Sequence, residues 1–294
     1  MKKNYQSILI LVILLLLLLF YFLNTSLMMQ EFLDYSFLFF TKLVPVSFSM
    51  LLFMSLLIQY GITDLFKSYS FTLFILSLFS GFPSGAKYIV DFINRKEISI
   101  EEGNQMLLFS HFPNPLFVLG TISMVLDNSI LSKKILLSII LSNAILFLFS
   151  KKKKKVFRRE QKKEVAFAKA MREAILSTFK TLLLIYGTSM FFYFILIFLS
   201  TAISIPTYLY VFIGGILDLT KGVFITSLLS NCFIRSCFIL FFLSFGNFSI
   251  HIQVKSILAD TSLSYHYFLI GRVIGTLLAF VFFFLFISVD LLQS

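Results

Sequence analysis

The sequence SGFPSG at residues 80–85 interrupts the apolar stretch 71–92 and decides how this part of the chain is expected to fold. Two glycines and a proline within six residues stop a helix, because glycine favours other conformations and proline lacks the amide hydrogen that an inner turn needs. Lys67 precedes the stretch and Lys96 follows it, and both are expected on one side of a membrane. The pattern predicts a re-entrant hairpin whose non-helical tip lies inside the protein.

The composition is that of a protein embedded in a membrane. Of the 294 residues, 59% are hydrophobic and 13% are charged, whereas a soluble domain is about 45–50% apolar and about 25% charged. Two cysteines and three histidines exclude a disulfide scaffold and give little support to a metal centre. The motifs of ATPases, dinucleotide-binding enzymes and serine hydrolases are absent from the sequence. We therefore expect an all-α polytopic membrane protein with about 6–8 membrane-spanning segments.

The net charge of +11 is concentrated in one segment. Residues 151–173 hold eleven basic and three acidic residues. A lysine run is too costly in hydrocarbon, so this segment is predicted to be a cytoplasmic linker near anionic lipid headgroups, and nucleic acid is not an expected partner. Counting spans from it places both termini in the cytoplasm of a plasma-membrane protein. The predicted units are an N-terminal anchor helix with an external loop (1–35), a first repeat (36–150) and a second repeat (174–294), with the path of 202–266 left open.

Short matches between the two halves predict an internal repeat. GITDLFK at residues 61–67 matches GILDLTK at 215–221. Further on, three residues of the first half match three of the second at constant spacing: Gly81, Ser84 and Ser99 match Gly246, Ser249 and Ser264. The spans 36–59 and 174–201 are expected to run in opposite directions, which makes the repeats inverted, as in many secondary transporters with a substrate site at the helix breaks. Chance matches in a chain so rich in Phe, Leu and Ile are the alternative.

The same residues resemble a known family. SGFPSGAK at residues 80–87, ISIEEGNQMLLF at 98–109 and HFPNPLFVLG at 111–120 are similar to the nucleoside-recognition, or Gate, domain. The closest likeness is to sporulation integral membrane proteins of the YlbJ type. GGILDLTKGV at 214–223 and the stretch 245–272 follow in the family's order.

The resemblance covers roughly residues 36–285 and departs from the family at two places. Asn247 stands where a second glycine is expected, and His111-Phe112 where small polar residues are usual. It implies a membrane protein of endospore-forming bacteria with a Gate fold, which concentrative nucleoside carriers and ferrous-iron transporters share. It implies no particular substrate.

Polar residues at the helix breaks are the predicted substrate-binding residues. Each break leaves backbone groups unpaired at membrane depth, where only protein, water or ligand can satisfy them. The candidates are Ser84, Lys87, Asn114, Ser249, His251 and Gln253. The alternatives are that Lys87 extends to the headgroups, that Asn114 bonds backbone freed at a kink, and that His251 is a structural hydrogen-bonding residue rather than a proton relay.

A second set of residues is predicted to shape or gate the breaks. Its members are Gly81, Pro83, Gly85, Pro113, Pro115, Asp218, Asn231, Arg235 and Gly246. Asn231 and Arg235, four residues apart, are expected on one helix face within a span 223–245. Arg235 is expected either to pair with Asp218 or Asp64 across the repeats or to contact substrate. Arg272, near the start of the last span, is expected to anchor at the membrane interface.

Together these features predict a secondary transporter or permeation protein for a small polar solute, with a nucleoside-like metabolite among the candidates and a link to sporulation. Na⁺ or H⁺ would drive it, because no ATP-binding sequence is present. The alternative is a non-transporting membrane scaffold or signalling component of spore-envelope formation. An enzyme is not expected, since paired carboxylates and metalloprotease motifs are missing. The presence of Ser249 and His251 means that an intramembrane enzyme is not excluded completely. We expect no cofactor and no bound metal.

Overall fold

The computed structural model describes residues 5–66, 68–150 and 166–293, and it contains helices but no strand within them. The first half forms α1 (Tyr5–Leu23), α2 (Thr25–Leu38), α3 (Val44–Gln59), α4 (Ile62–Phe66), α5 (Tyr69–Ser80), α6 (Ser84–Asn94), α7 (Ile100–Leu107), α8 (Pro115–Phe117), α9 (Ser123–Leu126) and α10 (Ser129–Phe149). The second half forms α11 (Phe167–Ala202), α12 (Thr207–Leu217), α13 (Leu219–Ile225), α14 (Cys232–Phe245), α15 (Phe248–Leu258) and α16 (Tyr265–Gln293).

Five helical stretches within the described ranges are long and apolar enough to cross a membrane. They are Thr25–Gln59, Ser129–Phe149, Phe167–Ala202, Cys232–Leu258 and Tyr265–Val289. Shorter apolar helices, α5 and α12 among them, pack between these stretches. The expected class of an all-α protein with several membrane-spanning helices agrees with this architecture. The inverted repeat and the total number of spans remain predictions.

The N-terminal part is more helical than the sequence predicts. Instead of an external loop before residue 36, α2 begins at Thr25 and continues through a π-helical turn, Phe39–Leu43, into α3. Met28 and Tyr35 on α2 are buried, because the apolar residues of this segment form a packing face. The two carboxylates of the segment make this face hard to recognise in the sequence. The external loop of unit 1–35 is therefore corrected to helix, with Asn24 as the break between α1 and α2.

The predicted hairpin tip is present and has a counterpart in the second half. Gly81 separates α5 from α6 with φ 75° and ψ 179°, and Gly246 separates α14 from α15 with φ 88° and ψ 174°. Side chains other than glycine rarely adopt this backbone conformation. The helices that follow the two breaks, α6 and α15, each have eleven residues and pack on one another. Two breaks with nearly identical glycine conformations therefore precede helices that pack on one another.

The other matched pair of segments, residues 61–67 and 215–221, does not have the same structure in the two halves. Gly61 has φ 85° and ends α3, whereas Gly215 lies inside α12. Asp64 is exposed on α4, whereas Asp218 is completely buried between α12 and α13. Lys67, the last residue of the first match, lies outside the described residues.

The predicted span 223–245 is corrected to two elements. The α13 helix ends in a 3₁₀ turn, Thr226–Leu228, and α14 begins only at Cys232. The α12 and α13 helices instead fold back on each other around Asp218. Gly222 lies so close to the backbone of Gly215 that a Cβ atom would clash, so the absence of side chains permits this tight hairpin.

The buried apolar residues form two clusters. The larger joins the first hairpin, α10, α14, α15 and α16, and the smaller joins α2, α11, α12 and α13. The helices beside the breaks at Gly81 and Gly246, which are α5, α6, α14 and α15, all contribute residues to the larger cluster. A site at these breaks is thus enclosed by both halves of the chain.

Candidate functional site

The tip of the first hairpin packs directly on a buried extended segment, residues 110–114. A Cβ atom on Gly81 would come within 2.8 Å of the Asn114 amide nitrogen, and one on Gly85 would clash with Ser110. Pro113 and Pro115 explain why this segment is extended, because neither can donate the amide hydrogen that would continue α7. Two non-helical segments therefore meet in the core, as is expected where each shields the other's backbone from lipid.

A cavity of about 60 Å³ lies between these breaks and the smaller apolar cluster. It is large enough for a few water molecules or a small solute group. Seven of its lining residues are polar: Ser47, Ser80, Asn114, Ser189, Thr220, Ser249 and Gln253. Apolar residues, including Phe39, Phe82 and Ile250, form the rest. No carboxylate or basic side chain lines it in the part of the chain that the structure describes.

Asn114 presents an unused hydrogen-bond donor at this cavity. Its Oδ1 accepts a bond from the Leu116 amide at 2.9 Å and so starts the helix that follows Pro115. Its Nδ2 makes no hydrogen bond although the residue is only 8% exposed. A buried amide without a partner costs about 1–3 kcal/mol, which a bound acceptor would recover.

Ser249 and Gln253 bring the second hairpin to the same cavity. Both lie on the first turns of α15, which Asn247 caps by accepting the Ile250 amide at 3.0 Å. Ser249 donates to Asn247 Oδ1 at 2.7 Å. Gln253 Nε2 donates to Thr188 Oγ1 at 2.9 Å, which ties α15 to α11.

The other predicted substrate-binding residues lie away from the cavity wall. Ser84 is fully buried and donates to Gly81 O and to Ser80 Oγ at 2.9 Å, which closes the hairpin tip. Lys87 is half-buried on α6, and its Nζ is buried without a hydrogen bond. His251 is hydrogen-bonded through Nδ1 to the Tyr265 hydroxyl.

The two residues predicted to share a helix face are placed differently. Asn231 is exposed and caps α14, accepting the Ile234 amide at 3.0 Å. Arg235 donates to Val125 O at 3.0 Å and thereby holds the end of α9 against α14. Arg235 does not pair with Asp218, whose carboxyl group accepts from the Tyr35 hydroxyl and the Lys221 amide, and its alternative pairing with Asp64 stays a prediction. Both residues fasten helix ends rather than contact the cavity.

Arg272 is the residue whose position is least expected from the sequence. It is 1% exposed and not at an interface. Its guanidinium donates to four acceptors at 3.1–3.5 Å: Leu108 O, His111 O, Ser244 O and Asn143 Oδ1. Leu108 and Ser244 lie at the carboxyl ends of α7 and α14, where helix dipoles place partial negative charge. Within the described ranges no carboxylate contacts this guanidinium, so carbonyl groups compensate its charge.

His111 connects the two breaks through aromatic packing. Its ring stacks on Phe82 at the first tip, with centroids 4.7 Å apart, and its Nε2 is 3.1 Å from Leu243 O near the second. His111 and His251 both pack edge-on against Phe268, with centroids 5.6 Å away. The sequence signals for this cluster are the unusual His111-Phe112 pair and an arginine within an apolar helix, which together suggest a buried polar centre.

Comparisons with family models, with curated proteins and with solved structures find no match to this chain. The fold and the site thus define a helical protein with several apolar helices long enough to cross a membrane, and a small, largely apolar cavity that both broken hairpins help to line.

Proposed function

We propose that this protein is a secondary transporter, or a gated permeation protein, for a small polar solute that binds in the cavity. The observation that carries the proposal is that both broken hairpins and Asn114 line one cavity. The first hairpin contributes Ser80 and Phe82, and the second contributes Ser249 and Gln253 of α15. Broken helices at a central site are a recurrent feature of secondary transporters, because their free backbone groups replace the hydration shell of a solute.

The distribution of polarity supports reversible binding. Hydroxyl and amide groups line the cavity without a fixed charge, and apolar rings separate them. Such a lining supplies a few directed hydrogen bonds to the solute within an otherwise apolar pocket. A nucleoside-like metabolite, a role in sporulation and a Gate fold follow only from the resemblance in the sequence and are part of the proposal.

The location and the energy source are proposed on the same basis. We place the protein in the plasma membrane, with both termini and the basic segment 151–173 in the cytoplasm, beside anionic headgroups. Most of this segment, residues 151–165, lies outside the described residues. Na⁺ or H⁺ would drive the solute, since the sequence has no nucleotide-binding motif.

The experiment is solute flux in proteoliposomes. The full chain is reconstituted and screened with a panel of nucleosides, amino acids, organic acids and inorganic ions, with and without Na⁺ and proton gradients. One class of solute is expected to accumulate with the wild type. Asn114→Ala is expected to reduce its flux at least tenfold at unchanged protein abundance, whereas the exposed Ser227→Ala should match the wild type. Absence of flux for the whole panel would count against transport.

The scaffold alternative is favoured by a different observation. Arg272 links α7, α10, α14 and the segment 110–114 through four hydrogen bonds, which restrains relative movement of these elements. A scaffold would require this rigidity and no cavity. Equal flux with and without protein, together with retained binding to other membrane proteins, would favour this role.

A further inference from the structure

Asp218 is a buried carboxylate in the middle of the helical bundle. It is 0% exposed and is the single non-helical residue between α12 and α13. The close contact of Gly222 with Gly215 fixes this turn and holds the carboxyl group inside. Ionisable residues within membrane bundles are costly and are commonly found on ion or proton pathways.

The partners of Asp218 are neutral donors. Its Oδ2 accepts from the Tyr35 hydroxyl at 3.1 Å and from the Lys221 backbone amide at 2.9 Å. Its Oδ1 makes no hydrogen bond, and the Ser189 hydroxyl neighbours the carboxyl group. These donors satisfy part of a carboxylate without neutralising its charge.

The charged and titratable groups around Asp218 are engaged elsewhere. The Lys221 ammonium lies 4.9 Å above the Tyr193 ring and not against the carboxyl group. Tyr193 donates to Glu31, and its ring stacks on Tyr35 with centroids 4.9 Å apart. Asp34 on α2 and Tyr210 on α12 interact electrostatically with Tyr193. No cation therefore pairs with Asp218 among the described side chains.

A short series of hydroxyl groups joins Asp218 to the cavity. Ser189, whose hydroxyl neighbours the carboxyl group, and Thr220, whose backbone amide does, both line the cavity wall. Ser189 Oγ is 3.5 Å from Ser249 Oγ, which in turn donates to Asn247 at the second break. A water molecule in the cavity would be separated from the carboxyl group by one hydroxyl layer.

We propose that Asp218 binds the coupling proton, an inference that rests on the proposed transport function. The carboxylate takes one proton from hydronium in the cavity, leaving water, and becomes a neutral acid. Release to water on the opposite side restores the carboxylate. The neutral acid is itself a donor, so protonation changes the bonding of Ser189 and, through Ser249, the second hairpin break.

Infrared spectroscopy of the reconstituted full chain tests the proton site without any solute. On lowering the pH, the wild type is expected to gain the C=O band of a buried protonated carboxylic acid. The band should be absent in Asp218→Asn, whose amide keeps the helix cap, and present in Asp64→Asn, which alters the exposed aspartate of the matching segment. A band that persists unchanged in Asp218→Asn, or no such band in the wild type, would overturn the proposal.

Two further measurements keep the test decisive. If Asp218→Asn does not fold, Tyr35→Phe is expected to retain the band at a shifted frequency, because the acid loses its hydroxyl partner; an unshifted band contradicts the assignment. Replacing choline by Na⁺ should leave the titration unchanged, and displacement of the band by Na⁺ would identify a sodium site instead.

Flux separates the two proposals. If the Asp218→Asn variant still accumulates solute in response to a proton gradient, the proposal that Asp218 binds the coupling proton is wrong, whereas the proposed transport function is supported. The expected band without any solute flux supports the proton site and counts against transport.

Discussion

Arg272 donates four hydrogen bonds in the centre of the bundle, and among the described residues no side chain of opposite charge compensates it. Replacing Arg272 by Met leaves Leu108 O, Ser244 O and Asn143 Oδ1 without this donor, whereas His111 O keeps the Asn143 amide as a donor. Because each buried acceptor without a partner costs about 1–3 kcal/mol, we expect the free energy of unfolding to fall by about 3–5 kcal/mol. Arg95, which is exposed and makes one long contact to Ile58 O at 3.5 Å, is the matched control. Arg95→Met should change the free energy of unfolding by less than about 0.5 kcal/mol. Equal losses in denaturant titrations of the two purified variants would contradict the assigned role.

Residue roles of this kind are hard to read from the chain. Arg272 stands in the first turns of a long apolar helix, where an interfacial anchor is the common outcome. Its burial depends on carbonyl groups supplied by α7 and α14, which are far away in sequence. Asn114 was easier to identify, because two flanking prolines mark a break wherever they occur in a span.

Single glycines control how the helical elements meet. A Cβ atom on Gly222 would overlap the Gly215 backbone, whereas one on Gly187, within α11, meets nothing within 4 Å. Gly222→Ala is therefore expected to separate α12 from α13, lower the melting temperature in detergent and expose Asp218. Gly187→Ala should leave the melting temperature unchanged or raise it, since alanine favours helix by about 1 kcal/mol. Similar melting temperatures for both variants would argue against a tight hairpin.

The backbone at Gly81 and Gly246 provides a second prediction for the elements. Alanine at either site must adopt a φ near 75–88°, which costs of order 1–3 kcal/mol. At Gly81 the new Cβ atom also meets Asn114, whereas at Gly246 the nearest atom is 3.5 Å away. Thermal unfolding should therefore show a larger loss for Gly81→Ala than for Gly246→Ala. The reverse order would mean that the first tip is not packed on the Asn114 segment.

The broken hairpins were predictable and the path of the second half was not. SGFPSG combines glycine and proline so densely that local chemistry alone ends the helix. In residues 202–266, apolar stretches alternate with interruptions such as Pro206, Asp218 and Gly246, and the sequence does not indicate which of them turn the chain. The α12–α13 turn depends on the close contact between Gly215 and Gly222. The absence of a span 223–245 likewise follows from tertiary packing. A count of apolar residues carries no information about such packing.

For the whole molecule, the proposed orientation in the membrane rests on the basic segment 151–173. In a background with Cys232→Ser and Cys237→Ser, single substitutions Lys151→Cys and Ser294→Cys are expected to resist an impermeant thiol reagent applied to intact cells. Both should react after the cells are opened. Labelling of either position from outside would reverse the proposed topology.

Protection of a cavity cysteine by solute tests the central claim most directly. In the same cysteine-free background, Ser47→Cys places a thiol on the cavity wall, and Ser227→Cys places one at an exposed site outside it. Modification of the Ser47→Cys thiol in proteoliposomes is expected to abolish flux of the solute found in the panel, and an excess of that solute should slow the modification. The Ser227→Cys variant should keep its flux. Full flux after complete modification at position 47 would contradict a solute site between the two hairpin breaks.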